Sequence, residues 1–414
     1  ADGYVAEINQ QERLIAEYPD LDQIDARGQY VMPGNICAHT HFYGAFARGM
    51  AIPGPAPKDF PEILEKLWWP LDKSLNMGDV RASAEVMMVD AIKHGTTTLI
   101  DHHASPNAIE GSLSEIADTV EKAGVRSVLC YEVTDRDGKD KALAGINENM
   151  RFLNLLNSGE GPGDRIAGTF GLHASLTLSD ETLQACRAAV PAGEGFHIHV
   201  AEHEADEYDS IGKSGMRVVN RLEKHEILGP KTIVAHAVHI DIKEAQTLQE
   251  SGSWVTHQPR SNMNNGVGVA PIESLLRAGI KVGIGTDGFS HTMWEEWKTA
   301  YLLHKVWHRD PRRFSGLDAV QLGVYNNAAL ANKFFPKGEL GRLVPGAFAD
   351  MIFVDYHPHT PLSEGNLPWQ IIFGFNESMV TTTIVAGKVL MQDRKLLTLD
   401  EEAIAARARQ RAPE

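Results

Sequence analysis

Residues of the types that bind metal ions stand where short apolar runs of this sequence end. His39 and His41 follow the run at 30–36, and three more follow similar runs: His199, His236 and Asp287. Four imidazoles and one carboxylate suit a borderline divalent ion such as Zn²⁺ and leave room for a water molecule. We therefore predict one bound divalent metal ion, with Zn²⁺ as the first choice and Fe²⁺ or Mn²⁺ as alternatives.

The spacing of His39 and His41 allows both side chains to reach the same ion, because residues two apart on a strand share a face. A single His-x-His pair is weak support, since buried histidines often only satisfy their neighbours. The other ligand-type residues, together with Glu202 three residues after His199, make a shared site the better interpretation.

Ligands at the ends of several strands indicate a parallel barrel, whose C-terminal rim carries the chemistry. The predicted strands span 30–37, 96–100, 125–131, 166–172, 195–200, 231–236, 253–257 and 280–286. The predicted helices span 112–123, 146–156, 180–189, 213–225, 241–250, 271–278 and 293–306. Eight strands with helical crossovers favour an α/β fold, a (β/α)₈ TIM-like barrel, over an open doubly wound sheet. No glycine-rich phosphate-binding motif follows the first strand.

The two ends of the chain depart from this alternation. Glycine-punctuated strands are predicted at 350–356, 379–385 and 388–391. We expect them to form a small β-sandwich with the N-terminal residues, which gives three domains: 1–32, a barrel over 33–338, and 339–414 with a terminal helix. The chain starts without Met and reaches His39 early, so we expect native residues to precede Ala1.

A segment rich in glycine and proline, 42–61, follows the first histidine pair directly. It includes Pro53 and Gly54, which disfavour regular helices and strands. We predict that it forms a lid over the site, with a passive surface loop as the alternative.

The composition limits the class of protein and its partners. The 414-residue chain has a formal net charge of −16 and no run of Lys or Arg, which argues against a nucleic-acid-binding surface. No apolar stretch approaches the ~18 residues of a membrane span. Three widely spaced cysteines, Cys37, Cys130 and Cys186, fit reduced thiols. We therefore expect a cytoplasmic protein without nucleic-acid or membrane partners, either a monomer or a homo-oligomer.

Six short motifs spread over nearly the whole chain resemble those of one superfamily. They are V-M-P-G at 31–34, H-T-H at 39–41, H-V-A-E at 199–202, A-H-A-V-H at 235–239, G-T-D-G at 285–288 and V-P-G-A-F-A-D at 344–350. With them the chain resembles the amidohydrolase superfamily, in its mononuclear deaminase branch. Three further motifs resemble the SsnA-type aminohydrolases: D-H-H-A-S-P at 101–106, E-V-T-D-R-D-G at 132–138 and R-S-N-M-N-N at 260–265. Relatives include adenosine-type and guanine deaminases and triazine hydrolases.

The residue types assign roles at such a site. A metal ion lowers the pKa of water, and Asp287 can take the water's proton as general base. Glu202, just beyond a strand end, can protonate a ring nitrogen of the substrate. From the resemblance, His257 is expected to orient the water or the developing oxyanion, and His173 to contact the substrate. The resemblance also implies a single metal, since dinuclear relatives carry a lysine on strand four and this chain has none there.

We predict a hydrolytic deaminase that releases ammonia from an aminated N-heterocycle such as a purine, pterin or triazine. Trp69 can stack on such a ring, and Arg260 can bind an oxo or carboxylate group, with core packing and a structural ion pair as the alternatives. In adenosine-thioether deaminases, which the chain resembles, an acidic residue in the matching segment binds ribose, so the resemblance implies this role for Asp72. Tyr131, however, stands where an arginine is expected, which weakens the nucleoside interpretation.

Two other hypotheses remain. A hydrolase with the same site could expel chloride or an alkylamine from a triazine-like ring, because only the leaving group differs. A non-catalytic scaffold is the hypothesis from a different class. Loss of ligand residues would favour the scaffold, and none is lost.

Overall fold

The computed structural model describes residues 2–51, 54–159 and 161–412. Its strands are β1 Tyr30–Pro33, β2 Asn35–Thr40, β3 Thr96–Asp101, β4 Arg126–Leu129, β5 Ile166–Gly168, β6 Phe170–Ala174, β7 Phe196–Val200, β8 Ile233–His236, β9 Trp254–His257, β10 Val282–Ile284, β11 Met351–Val354, β12 Val380–Val385, β13 Lys388–Gln392 and β14 Lys395–Leu396. Its helices are α1 Gln11–Glu17, α2 Phe60–Ile63, α3 Trp69–Ser74, α4 Met77–Lys93, α5 Ser112–Ala123, α6 Lys139–Ser158, α7 Asp180–Ala189, α8 Glu204–Ser214, α9 Val218–Lys224, α10 Ile242–Ser251, α11 Pro259–Asn264, α12 Ile272–Arg277, α13 Met293–His308, α14 Gly316–Val320, α15 Asn327–Ala331, α16 Leu367–Gly374 and α17 Glu401–Arg411. Segments of 3₁₀- or π-helix lie between them at Phe42–Ala47, Leu64–Trp68, Ser175–Thr177, Gln321–Asn326 and Glu377–Met379.

Parallel strands make up the centre of the molecule. One sheet has the order β2-β3-β4-β5, and a second has the order β6-β7-β8-β9-β10. Only Thr169 separates β5 from β6, so the two sheets meet there. At the other end, the backbone nitrogens of Thr286 and Asp287, just after β10, donate to the carbonyl oxygen of His39 in β2 at 3.0 Å. The predicted α/β fold with parallel sheets is confirmed, and the return of the last strand to the first is consistent with a TIM-like barrel.

Side chains that alternate along each strand fill two apolar layers. In β8, Ile233 packs in a small cluster with strand residues such as Ile100 and Trp254. Its neighbour Val234 belongs instead to the large cluster that includes the helix residue Leu222. Strand residues therefore face either the space enclosed by the parallel strands or the layer of helices around them.

Helix α5 shows how the outer layer forms. Leu113, Ile116 and Val120 recur at helical spacing and are fully buried. The helix ends at Gly124, whose φ of 94° is the left-handed conformation that favours glycine after the last turn. The apolar stripe thus faces the parallel sheet, as the sequence pattern predicted.

The predicted strand 30–37 is in fact two strands with different partners. β1 pairs antiparallel with β11, whereas β2 pairs in parallel with β3. The chain changes partner at Gly34, where an added Cβ would lie 2.2 Å from the side chain of Thr97. Both halves are largely apolar, so the pattern alone does not reveal the break.

A separate antiparallel sheet draws on both ends of the chain, in the order β1-β11-β12-β13-β14. The hairpin between β12 and β13 turns at Ala386 and Gly387, both at positive φ, as a tight hairpin turn requires. Beside it, Arg126 of β4 forms a buried ion pair with Asp350, Nε to Oδ2 at 3.0 Å. Within the described residues these strands form one sheet, and the β-sandwich stays a prediction.

Two helical predictions need correction. The pattern assigned no helix before β3, yet α4 fills that stretch and begins with a capping box between Asn76 and Asp79. The helix predicted at 213–225 begins too early, because Gly215 adopts a φ of 72° and ends α8, and α9 covers only Val218–Lys224. Among the described residues, no helix is long and apolar enough to cross a membrane.

The segment 42–61 begins with the turn Phe42–Ala47 and ends in α2. Residues 52–53, which include Pro53, lie outside the described residues. The lid over the site stays a prediction.

Candidate active site

Three histidines and one aspartate converge at the C-terminal ends of β2, β7 and β10. His41 Nε2 lies 3.2 Å from His199 Nε2 and 2.9 Å from Asp287 Oδ1. His39 Nε2 lies 3.7 Å from the same carboxylate oxygen. His39, His41 and Asp287 are buried and His199 is partly buried, and one ligand atom from each lies within 4.8 Å of all the others. The structure therefore brings four of the five predicted metal ligands into one cluster.

Hydrogen bonds at the far side of two rings show which nitrogen is free. His41 Nδ1 donates to the carbonyl oxygen of His102 at 2.6 Å, and His199 Nδ1 donates to that of His173 at 2.8 Å. A carbonyl only accepts, so Nδ1 carries a hydrogen in both rings, and in the neutral form of each ring, which binds a metal ion, the lone pair is on Nε2. Two lone pairs thus face each other beside a carboxylate oxygen.

A divalent cation fits this donor set. Two nitrogens bound to zinc at 2.0–2.1 Å with tetrahedral geometry lie about 3.3 Å apart, close to the 3.2 Å between the two Nε2 atoms. The buried Nε2 of His39 has no hydrogen-bond partner, and burial lowers the pKa of this histidine to about 4. A neutral imidazole is the form that binds a metal ion.

His236, the fifth predicted ligand, lies next to this cluster and groups instead with two carboxylates. Its Nδ1 donates to Asn262 Oδ1 at 2.9 Å, which leaves the lone pair on Nε2. That Nε2 lies 3.4 Å from Glu202 Oε2 and 3.7 Å from Asp287 Oδ2. His236 is therefore placed to accept a hydrogen bond on the side of the cluster where Glu202 lies.

Left-handed backbone conformations gather at this rim. Ala201, His236, Ala237 and Asp287 all have φ between 48° and 73°, and each lies at or just after the end of a parallel strand. Such conformations are strained for residues other than glycine and concentrate at functional sites. Here they turn the chain sharply after β7, β8 and β10, so that polar side chains reach the mouth of the site.

Asp287 and Glu202, the two candidate catalytic carboxylates, each accept a hydrogen bond from a neighbouring side chain. Ser261 Oγ donates to Asp287 Oδ2 at 2.6 Å, and Asn265 Nδ2 donates to Glu202 Oε1 at 3.3 Å. Burial raises the pKa of Glu202 to about 7, whereas hydrogen bonds and positive charge from the neighbouring histidines outweigh burial and hold the pKa of Asp287 well below its usual range. The two groups are thus suited to opposite roles as proton donor and proton acceptor.

A cavity of ≈ 50 Å³ opens onto this cluster. His41, His199, Glu202 and Asp287 contribute to its lining. Its walls include three of the four residues predicted to contact the substrate: His173, Trp69 and Asp72. The structure therefore brings these residues to the same cavity as the candidate metal centre.

Asp72 and Trp69 form one wall of the cavity together with an arginine behind them. Arg136 donates from Nη2 to Asp72 Oδ2 at 2.6 Å, and its guanidinium lies 5.1 Å from the Trp69 ring centroid. The second oxygen of Asp72 and the indole nitrogen of Trp69 are buried without a hydrogen-bond partner. Both atoms therefore have unused hydrogen-bonding capacity in the wall of the cavity.

The structure does not bring His257 to the cavity. Its ring is fully buried and faces His304 of α13, with the ring centroids 5.3 Å apart. On β9, His257 shares a face with Val255, which packs in the layer between strands and helices. The predicted catalytic contact of His257 is therefore corrected: its ring lies away from the cavity, and the ring that lies beside Glu202 and Asp287 is that of His236.

Arg260 also lies away from the cavity. Its guanidinium donates to Glu295 Oε2 and to the carbonyl oxygen of Ser290, each at 2.7 Å, and pairs with the fully buried Glu296. These bonds occupy its donors, so the structural ion pair that was the alternative explanation fits Arg260 better than substrate contact.

The sequence reasoning missed Ser261 and Asn265 as site residues. From the motif at 260–265 we predicted only a role for Arg260 and a resemblance to the SsnA-type aminohydrolases. A usable signal was the spacing of four residues, which places both side chains on one face of a helix that starts directly after a strand end.

The chain is similar to known proteins over most of its length. The model of the amidohydrolase family matches residues 30–390. A 5'-deoxyadenosine deaminase of Methanosarcina mazei is 33% identical over 420 residues, covering 100% of this chain and 92% of the relative. A 5-methylthioadenosine/S-adenosylhomocysteine deaminase of Pelotomaculum thermopropionicum is 33% identical over 397 residues, covering 94% of this chain and 87% of the relative.

Solved structures share the fold at lower sequence identity. The guanine deaminase of E. coli superposes with a TM-score of 0.81 at 19% identity, covering 95% of this chain and 91% of the other. An adenosine deaminase from Xanthomonas campestris with bound zinc gives a TM-score of 0.79 at 23% identity, covering 92% and 84%. The family match spans most of the chain and the relatives exceed 30% identity over nearly their whole length. This protein belongs to the amidohydrolase family.

Proposed function

We propose that this protein is a metal-dependent hydrolase that deaminates an aminated N-heterocycle and releases ammonia. The observation that carries the proposal is the position of two carboxylates, Asp287 and Glu202, at one cluster of metal-type histidines. Two proton-transfer groups with opposite pKa directions beside such a cluster are what hydrolysis of a cyclic amidine needs.

His39, His41, His199 and Asp287 would hold the metal ion. When bound there, a divalent ion lowers the pKa of water and so supplies a nucleophile at neutral pH. The hydrogen bonds from the Nδ1 atoms of His41 and His199 to backbone carbonyls keep both rings oriented for this task.

The protein's own groups then move the protons. Asp287 accepts the proton that the attacking water loses, while the Nε2 lone pair of His236 accepts a hydrogen bond and orients the attack. Glu202 gives a proton to the ring nitrogen beside the reacting carbon. The amino group receives the proton held by Asp287 and leaves as ammonia, and the remaining hydroxyl proton of the attacking water returns to Glu202 as the carbonyl forms.

The substrate class we favour is an adenosine-type nucleoside. The relatives that are 33% identical to this chain are named as deaminases of 5'-deoxyadenosine and of methylthioadenosine. The free oxygen of Asp72 can accept a hydrogen bond from a ribose hydroxyl, and Trp69 offers an apolar wall. Arg136 supplies an arginine beside Asp72, while Tyr131 is buried, so the residue at 131 no longer counts against a nucleoside.

The test is a product analysis with the purified protein and its bound metal. We expect ammonia from 5'-deoxyadenosine, with the purine amine replaced by a carbonyl, and slower release from guanine or aminated pterins. Chloride or alkylamine from a triazine, with no ammonia from any aminated ring, would overturn the deaminase. No product from the whole panel, with the metal bound, would favour the scaffold.

Other parts of the sequence interpretation remain proposals. We infer that the parallel strands close a complete (β/α)₈ barrel over 33–338, and that the antiparallel sheet built from 1–32 and 339–414 belongs to a small β-sandwich. The hydrogen bonds from Thr286 and Asp287 to His39 support the closed barrel. The homo-oligomer and the cytoplasmic location stay predictions.

A further inference from the structure

The short helix α11 connects the two catalytic carboxylates. Ser261 in α11 and Asn265, which continues the helical backbone as its C-cap, lie four residues apart, so both side chains point from one face toward the site. Ser261 is buried and Asn265 lines the cavity. Neither residue belongs to the metal cluster.

Ser261 and Asn265 both donate hydrogen bonds toward the two carboxylates. Asn265 Nδ2 lies 3.3 Å from both Glu202 Oε1 and Ser261 Oγ, and Ser261 Oγ in turn donates to Asp287 Oδ2 at 2.6 Å. Asn264 Nδ2 donates to Asn265 Oδ1 at 3.1 Å, which fixes the amide so that its hydrogens face Glu202 and Ser261. Because a hydroxyl has one hydrogen, the bond from Asn265 leaves that hydrogen of Ser261 for Asp287.

The other oxygen of each carboxylate faces a histidine of the site. Asp287 Oδ1 faces His41, and Glu202 Oε2 faces His236. Carboxylate oxygens of Glu202 and Asp287 and the Nε2 atom of His236 lie within 4.8 Å of one another. When both groups are ionised their like charges repel at this distance, and donors between them offset the repulsion and hold each rotamer.

We propose that Ser261 and Asn265 are positioning residues for the proposed deamination: Ser261 acts through Asp287 on the metal cluster, and Asn265 acts through Glu202 on proton transfer. The pair keeps both carboxylates as hydrogen-bond acceptors and turns their working oxygens toward His41 and His236. This inference rests on the proposed function for its kinetic part and on the geometry alone for its metal part.

The metal part is tested without a substrate. Zinc affinity is measured by competition with a chelator for the wild type, Ser261→Ala and Met263→Ala. Met263 is the matched control, because it lies on the same helix and is exposed. Ser261→Ala is expected to weaken zinc binding by about 10–100-fold, the range for loss of a residue that orients a ligand, with an unchanged circular dichroism spectrum. Equal affinities in all three proteins would overturn the role of Ser261.

The kinetic part uses 5'-deoxyadenosine and the zinc-loaded enzyme. Asn265→Leu is expected to lower kcat by about 10–100-fold and to leave KM within about twofold, whereas Met263→Ala changes neither. In a Glu202→Gln background, Asn265→Leu should add less than about threefold, because residues that act through one another are not additive.

The outcomes separate this inference from the proposed function. Independent losses that multiply in the double variant would overturn the action of Asn265 through Glu202, and a rise in KM alone would make Asn265 a substrate contact instead. If Glu202→Gln loses activity and Asn265→Leu does not, only the inference is wrong. If Glu202→Gln itself turns over normally, the role of Glu202 in the proposed function is wrong, while the zinc measurements still decide the role of Ser261.

Discussion

The histidine side chains of the site owe their roles to the hydrogen bonds at their far nitrogens. His41 and His199 each donate from Nδ1 to a backbone carbonyl, so their Nε2 lone pairs meet in the centre of the site. His236 does the same through Asn262, but its ring points toward Glu202. The same residue type would therefore bind metal in two cases and accept a hydrogen bond in the third, and the orientation of the ring decides between them.

Replacing Glu202 with Gln should remove proton donation and keep the metal. The amide has nearly the shape of the carboxylate, can still contact Asn265 and cannot donate an acidic proton. We expect kcat to fall by a factor of ~10²–10⁴, with zinc content near that of the wild type. Turnover and metal content are measured on the same preparation, and near-normal turnover would leave Glu202 without a catalytic role.

Asp72 should give substrate binding its own pH dependence. Burial raises the pKa of Asp72 to about 6, although Arg136 opposes the shift. The carboxylate is therefore present above about pH 6 and is lost as the pH falls through that value, and with it the acceptor for a ribose hydroxyl. We expect KM for 5'-deoxyadenosine to rise below pH 6 in the wild type. In Asp72→Asn, KM should be about 10–100-fold higher and flat over this range; a wild-type profile in the variant would contradict the contact.

His257 and His236 show how far residue roles follow from the sequence. Alternation along β9 places His257 on the same face as Val255, so its distance from the site could have been predicted. The same rule places His236 with Val234 and therefore also on the helix side. The left-handed backbone at His236 turns it into the site instead, and no sequence pattern specifies that conformation.

At the scale of elements, the strand ends bring the ligands together and the helices that follow hold them. The apolar strands were predictable because each is short and bounded by turn residues. The partner change at Gly34 was not, since it depends on how close Thr97 lies. The end of α8 at Gly215 was predictable but missed, because a glycine after the last turn is a helix-stop signal and no other segment lies close to it. Contacts between distant segments, such as α11 with α13, become visible only in the folded chain.

Arg260 joins these two helices, and its loss should reduce stability rather than substrate binding. The side chain of Glu296 is completely buried and pairs with Arg260. Removing one partner of a buried ion pair leaves an uncompensated charge, at a cost of about 3–5 kcal/mol. Denaturant unfolding of Arg260→Leu should show this loss.

The matched control for that experiment removes both charges. Arg260→Leu with Glu296→Leu leaves no unpaired carboxylate, so much of the stability should return. We expect KM of the folded single variant to stay close to that of the wild type. A large rise in KM with normal stability would return Arg260 to the substrate site.

At the scale of the whole molecule, the candidate metal centre joins parts that are far apart in the sequence. His39 and His41 end β2, His199 lies near the end of β7, and Asp287 follows β10. An ion held by all four would link the first and last parallel strands and cross between the two parallel sheets. A ligand that binds only the folded state stabilises it, so the metal should contribute to stability as well as to catalysis.

Metal removal should therefore lower both activity and the melting temperature, and reconstitution should restore both at one ion per chain. A second group of ligand-type residues, His41, His102, Glu132 and His199, shares two members with the first. The Nδ1 atoms of those two histidines already donate to backbone carbonyls, so these atoms have no lone pair for a second ion.

With free zinc at ~1,000 times its Kd, binding should add about 4 kcal/mol to the free energy of unfolding. Calorimetry of the chelated and reconstituted protein measures this gain, and elemental analysis counts the ions. Two ions per chain in the active protein would refute the mononuclear centre. The same melting temperature with and without the metal would mean that the cluster binds no ion across these strands.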